Sequence, residues 1–132
     1  MFLNKYTLIL MCIFFCVGCS PFQVADFLSP YSGYEVKTDV SYGTLERQKL
    51  DIYTPTKKQK SSDIIVFIYG GSWKSGEKSD YRFIAQPFTN AGFITIVPNY
   101  RLYPEVRFPE FNKDIAKAVA WVYPVSYTHL TL

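Results

Sequence analysis

Past Cys19 the sequence contains no cysteine; Cys12, Cys16 and Cys19 all fall within the first nineteen of 132 residues. The body of the chain therefore has no disulfide framework and no cysteine metal site. Histidine is scarcer still, with His129 near the C-terminus as the only one. No basic block stands out. The 14 Lys and Arg are interleaved with 11 Asp and Glu for a net charge of +3, which gives a nucleic-acid partner no footing. The densest cluster, Lys57-Lys58-Gln59-Lys60, lies between a proline and two serines and reads as a solvated loop. Internal repeats and low-complexity tracts are missing. So are two phosphate-cradling signatures, G-x-G-x-x-G and the Walker loop. Gly71 to Gly76 approaches the latter, but Glu77 stands where the lysine should, one residue ahead of Lys78 and Ser79. What remains is 48% hydrophobic and 19% charged, a globular composition of a length that suits one small domain.

The N-terminus has the three parts of a secretory signal. Lys5 supplies the positive charge, residues 6–17 an apolar core, and Val17, Gly18, Cys19 and Ser20 the small residues that follow. The core is too short for the ~20 residues that span a bilayer as a helix. Pro21 is expected to stop any helix there. "CVGC" resembles a bacterial lipobox, with Val17 and Gly18 matching and Cys16 in place of the usual leucine. The resemblance implies lipidation of Cys19, anchoring by several acyl chains and, with Ser20 next, sorting to the outer membrane of a bacterial envelope. An ordinary secretory signal, giving a periplasmic or secreted protein, is the alternative. Residues 1–19 are thus read as a signal peptide and 20–32 as a tether with a helical turn.

Residues 34–43 and 48–55 alternate and end at Gly43 and Pro55, which predicts two antiparallel strands. Residues 63–69, "DIIVFIY", form a continuous apolar run that suits a strand covered on both faces. A helix is expected over about 81–91, capped by Ser79 or Asp80, with Ile84, Phe88 and Ala91 on its apolar face and a stop at Asn90-Ala91-Gly92. "FITIVPNY" reads as another buried strand. Pro109 suits the first turn of a last helix running to about Tyr123, its face made of Phe111, Ile115, Ala118, Val119 and Val122. The order β, β, β, α, β, α gives an α/β fold in which strand–helix–strand makes a right-handed crossover and a parallel pair. A partial domain over 33–123 is expected. The last nine residues, "PVSYTHLTL", resemble a translated transposase-type sequencing adapter, so 124–132 read as a non-native tail and His129 carries no role.

The chemistry concentrates at "IYGGSW", where a buried strand ends in two glycines. Backbone N–H groups aimed at a carbonyl oxygen that turns negative in acyl transfer contribute ~3–4 kcal/mol each. Glycines let such an oxygen come close and tolerate unusual dihedrals. "YGGSW" resembles the H-G-G-G-[FW] motif of the hormone-sensitive-lipase-like esterases, α/β-hydrolases of carboxylesterase (BD-FAE-like) type. "NYRLYPEVRFPEFNKDIAKAVAWV" and "RQKLDIYTP" resemble two further blocks of that family in the right order.

The resemblance implies the N-terminal part of an α/β-hydrolase fold, a mixed, mostly parallel sheet with flanking helices. It also implies a hydrolase of carboxylic esters, or a related arylformamidase-like amidase, acting on a small acyl substrate without metal or organic cofactor. By position the oxyanion donors would be the N–H groups of Gly71 and Ser72. Gly70 would give the turn its freedom, Tyr69 would brace it and Trp73 would pack behind it. Tyr69 departs from the usual histidine, and Ser72 from the third glycine. Arg101 and Asp114 are read as a structural pair tying loop to helix. Asp114 precedes any nucleophile, whereas the family's order is Ser, Asp/Glu, His. G-x-S-x-G is absent, and Ser72, Ser75 and Ser79 are not placed on a strand-to-helix elbow. The chain is therefore expected to lack the catalytic triad and to be an incomplete, inactive part of an esterase. The rival reading is a non-catalytic envelope lipoprotein anchored in the membrane.

Overall fold

The computed structural model describes residues 21–57 and 63–128. The first nineteen residues, with Cys19, and the end of the tail, with His129, lie outside these. In chain order the elements are α1 (Pro21–Leu28), β1 (Tyr34–Ser41), β2 (Lys49–Pro55), β3 (Ile64–Val66), a 3-10 turn (Lys78–Tyr81), α2 (Arg82–Asn90), β4 (Ile94–Pro98) and α3 (Glu110–Thr128). The strands form one mixed sheet in the order β1-β2-β4-β3. β1 pairs antiparallel with β2, and β2 antiparallel with β4, while β3 and β4 run parallel. A bulge between Lys37 and Val40 interrupts the first ladder, with Asp39 at φ 57°.

Period-2 alternation sorts the strands into two apolar layers. Leu50, Ile52, Ile94 and Ile96 gather with Ala118 and Val122 of α3. The opposite-facing Tyr53 and Val97 gather with Ala85 of α2, with Tyr69 and Tyr100 just beyond the strands, and with Phe111. All five residues of β4 are buried, as a central strand covered on both sides requires. The strand at 63–69 is shorter than expected. Its regular part is Ile64–Val66, although the Phe67 N–H still reaches the Ile96 carbonyl at 2.8 Å.

Three helix details differ from the sequence expectation. Pro21 opens α1 instead of ending a helix. A proline's fixed φ is helical and its missing N–H is not needed in a first turn. In α2, Phe88 is 41% exposed while Ala85 and Thr89 are buried. Small side chains let the helix approach the sheet, and the Thr89 hydroxyl donates to the Ala85 carbonyl at 2.9 Å and meets Thr95 Oγ1 at 3.0 Å. Ser79 and Asp80 lie inside the 3-10 turn and make no side-chain cap. The expected stop at Gly92 is present, with φ 104° and its N–H on the Thr89 carbonyl.

In α3, Asp114 takes the inward place expected of Val119, which is 46% exposed. The Pro109 carbonyl accepts the first helical bond, from Lys113 at 3.1 Å. The helix does not end near Tyr123 but continues across Pro124 to Thr128. Proline forfeits one backbone bond there, yet its own φ fits the helix.

α1 is docked through Arg82, a buried residue of α2. The guanidinium donates to Asp26, to the Ser29 carbonyl at 3.2 Å and to the Tyr34 hydroxyl at 3.2 Å, and lies 3.4 Å from the centre of the Tyr31 ring. Among the described residues no helix is long and apolar enough to cross a membrane.

Candidate oxyanion site

The parallel strands β3 and β4 release their chains at the same end of the sheet. A crevice outside the carboxyl ends of parallel strands is the usual place for a ligand in open α/β sheets. The chain leaving β3 turns sharply: Gly71, Ser72 and Trp73 have φ 121°, 54° and 62°. Freedom is thus required at Gly71, where an added Cβ would lie 2.1 Å from the Ser75 carbonyl oxygen. The conformational role expected of Gly70 is not seen, since its φ is not positive and a Cβ there would meet nothing within 4 Å. Left-handed dihedrals at Ser72 and Trp73 carry strain of order 1–3 kcal/mol each, which persists only where the surroundings impose it.

The turn closes on one acceptor. The Gly71 carbonyl receives the N–H groups of Lys74 at 3.0 Å and Ser75 at 3.3 Å. Residues 70–75 are exposed. Among the described residues the N–H groups of Gly71, Ser72 and Trp73 have no acceptor. Consecutive N–H groups in such a turn form a concavity suited to an anion. The Trp73 ring stacks on Phe111, with centroids 4.5 Å apart, and meets Tyr100 edge-on at 5.4 Å. Its carbonyl accepts the Tyr103 N–H at 2.7 Å, joining the two strand exits.

Beneath the turn lies a layer of buried polar bonds. Tyr69 does not point to the surface. Its ring is sandwiched between Tyr81 and Tyr100 at 4.9 and 4.8 Å, and its hydroxyl donates to Asn99 Oδ1 at 2.6 Å. Burial raises the Tyr69 pKa, against the opposing effect of Arg47, and the hydroxyl stays a neutral donor. The Tyr100 hydroxyl donates to the Tyr69 carbonyl at 2.7 Å. Asn99 Oδ1 also accepts the Lys78 N–H at 2.8 Å, and its amide donates to Glu77. Gly76, at φ 120°, packs so closely that a Cβ would sit 2.6 Å from the Tyr69 ring.

Arg101 and Asp114 meet in a two-pronged pair, Nε to Oδ2 at 2.7 Å and Nη2 to Oδ1 at 2.8 Å. The Arg101 N–H adds a third bond at 3.1 Å, and Gln48 Nε2 a fourth at 2.8 Å. Asp114 is only 2% exposed, so the pair that ties the loop to the last helix is a buried one. Burial alone would raise its pKa, but the bonds from Arg101 and Gln48 outweigh it and hold the carboxyl below 3.8. Lys78, which a phosphate loop would have needed free, is instead buried between Asp51 at 2.8 Å and Asp39 at 2.9 Å.

The residues that sequence reading missed are those that carry the loop from outside. Arg47, Gln48, Glu77 and Asn99 bond across 21 to 66 positions of sequence. Their only signal is polar side chains flanking buried strands. Among the described residues no cluster of three or more His, Cys, Asp or Glu could hold a metal ion.

A mixed sheet with flanking helices and a glycine turn at the exit of β3 defines an α/β-hydrolase fold. The chain belongs to the BD-FAE family, whose model matches residues 50–128. Among curated proteins it is 26% identical over 93 residues to "Kynurenine formamidase" of Danio rerio, covering 70% of this chain and 31% of that one. It is 28% identical over 96 residues to "Probable isoprenylcysteine alpha-carbonyl methylesterase ICMEL1" of Arabidopsis thaliana, covering 73% and 19%. The chain thus spans less than a third of either relative's length. The solved structure of esterase B from Lactobacillus rhamnosis superposes with a TM-score of 0.72 at 19% identity, covering 89% of this chain and 39% of that one, a likeness of fold.

Proposed function

We propose that this chain carries the charge-stabilising half of a serine-type carboxylic-ester hydrolase. The observation behind this reading is the left-handed run of exposed residues Gly71-Ser72-Trp73, whose consecutive N–H groups have no acceptor among the described residues, at the open end of a parallel strand pair. An oxygen becoming negative gains most from them, because the donors are already fixed before charge develops.

In the mechanism, a serine attacks the acyl carbon while a histidine takes its proton. The tetrahedral oxygen is held by the N–H groups of Gly71 and Ser72. The ester C–O bond breaks, the alcohol leaves with the histidine's proton, and water releases the acid by the same route. G-x-S-x-G does not occur in these 132 residues, so the serine, acid and histidine would come from sequence that follows. An amidase is the second reading, favoured by the formamidase relative in Danio rerio. Both use the same donors. The ratio of kcat/KM on N-formyl anilides to that on p-nitrophenyl acyl esters separates them. Export to a bacterial envelope with a lipid on Cys19 completes the proposal; palmitate labelling lost in Cys19→Ser is its check.

The 132-residue chain is expected not to turn over p-nitrophenyl acetate, and the enzyme expressed from the genomic reading frame to do so. In that enzyme Gly71→Ala should lower kcat about 10²–10³-fold with KM little changed, as for loss of an oxyanion donor. Turnover by the 132-residue chain that disappears in Ser72→Ala would overturn the reading. So would a native stop codon at position 124, which would leave a small non-catalytic lipoprotein.

A further inference from the structure

The left-handed turn at 71–73 does not hold itself. Its only internal bonds run to the Gly71 carbonyl, and residues 70–75 are exposed. Something else must fix where the strand enters the turn and where the chain leaves it. Among the described residues two side chains from outside the turn reach both its ends: Asn99, through the Tyr69 hydroxyl and the Lys78 N–H, and Arg47, which also bonds the main chain of the exit at Gly76. Arg47 lies in the connection between β1 and β2, which is closed by the Gln48 N–H on the Leu45 carbonyl at 2.9 Å and the Tyr42 N–H on the Gln48 carbonyl at 3.0 Å.

Its guanidinium makes four separate bonds. Nη2 donates to the Tyr69 hydroxyl at 3.1 Å, beneath the entry to the turn, and to the Gly76 carbonyl at 2.9 Å, at its exit. Nη1 donates to Glu77 Oε2 at 3.1 Å, and Nε to the Tyr100 carbonyl at 2.8 Å, on the chain leaving β4. The acceptors include two main-chain carbonyls, Gly76 at the exit of the turn and Tyr100 on the neighbouring chain that leaves β4. A planar fork with five donors can serve all four at once; an ammonium has three donors about a single point.

The geometry points to Arg47 as a positioning residue for the oxyanion turn. It touches neither substrate nor the donor N–H groups, and acts by fixing the spacing between Tyr69 and Gly76. The inference rests on the proposed hydrolase reading and says which remote side chain sets the aim of its donors. A residue that only stabilised the fold would, on removal, lower the amount of active enzyme. One that aims donors lowers kcat of the folded enzyme and leaves KM alone.

The test uses the enzyme expressed from the genomic reading frame, with p-nitrophenyl acetate as substrate. Arg47→Ala is expected to lower kcat about 100-fold with KM within threefold, guanidinium ion in the millimolar range to restore part of the lost kcat, and Arg47→Lys to recover less than half of it. A thermal melt of each variant gives the folded fraction at assay temperature. Unchanged kcat in folded Arg47→Ala would overturn the proposal, as would a loss that merely tracks the folded fraction and ignores guanidinium. Tryptic cleavage after Lys74 of the same enzyme supplies a readout that needs no turnover. At equal folded fraction, Arg47→Ala should be cut at least tenfold faster at this bond, and an unchanged rate would count against Arg47. A wild-type enzyme without turnover would defeat the hydrolase reading separately, leaving the cleavage rate to decide the role of Arg47.

Discussion

The two chain segments that leave β3 and β4 lie side by side and are built on opposite plans. At the exit of β4, Asn99 and Tyr100 are buried and their side chains are bonded, while Arg101 is clamped onto a carboxylate in the last helix. At the exit of β3, residues 70–75 are exposed, and three successive residues hold left-handed dihedrals with N–H groups unspent. Rigidity in the first is what makes the second possible. The Tyr103 N–H on the Trp73 carbonyl and the stacked Trp73 and Phe111 rings carry support from one exit to the other. Strain at a functional turn is thus held in place by an ordinary buried network a few ångströms away.

Breaking the rigid exit should have the larger effect. Asp114→Ala strands the Arg101 guanidinium and the buried Gln48 amide, and is expected to destabilise the folded chain by about 3–5 kcal/mol in urea unfolding. A loss below 1 kcal/mol would mean that the pair is no more than a surface contact. Acid probes the same bond. The folded pKa of Asp114 lies below its ordinary 3.8, so its contribution is present above that value and is lost as pH falls through the folded one. Asp39, held low first by its hydrogen bond and then by its attraction to Lys78, adds to the same acid arm. Stability should therefore fall below about pH 3.8, and less steeply in Asp114→Asn; equal slopes would remove Asp114 from the account.

The open exit offers the smallest effect and the opposite sign. Ser72 sits at φ 54° with an exposed side chain. Ser72→Gly removes the left-handed penalty and should stabilise the chain by about 1 kcal/mol, less the extra entropy of the unfolded glycine. Destabilisation on this substitution would show that the serine side chain holds the turn.

What could be read from sequence follows where the physics is local. Alternation at residues 34–41 and 49–55 and the β-branched segment at 94–98 placed strands that the structure contains. The "YGGSW" turn announced itself because only small residues fit such a path. Reading failed where contact distance, not period, decides. Ile84 and Phe88 look like the face of α2, yet Ala85 and Thr89 occupy it because a close helix–sheet approach favours small side chains over large ones. Val119 lost its inward place to a charged residue, since Asp114 finds four donors there. Arg47 gave no signal beyond a polar side chain flanking a buried strand. Its partners are 22 to 53 positions away and share no periodicity with it.

The docking of α1 has a consequence for how far the molecule can move. Were residues 20–32 a free tether, they would extend to about 45 Å at ~3.4 Å per residue. Arg82 instead holds Asp26, Tyr31 and Tyr34 against the body, and the helix starts at Pro21. For a chain carrying a lipid on Cys19, as proposed above, the slack shrinks to about 7 Å. Such a protein would not swing on a leash. It would stay within a few ångströms of its anchor, free to pivot but not to reach away from the membrane.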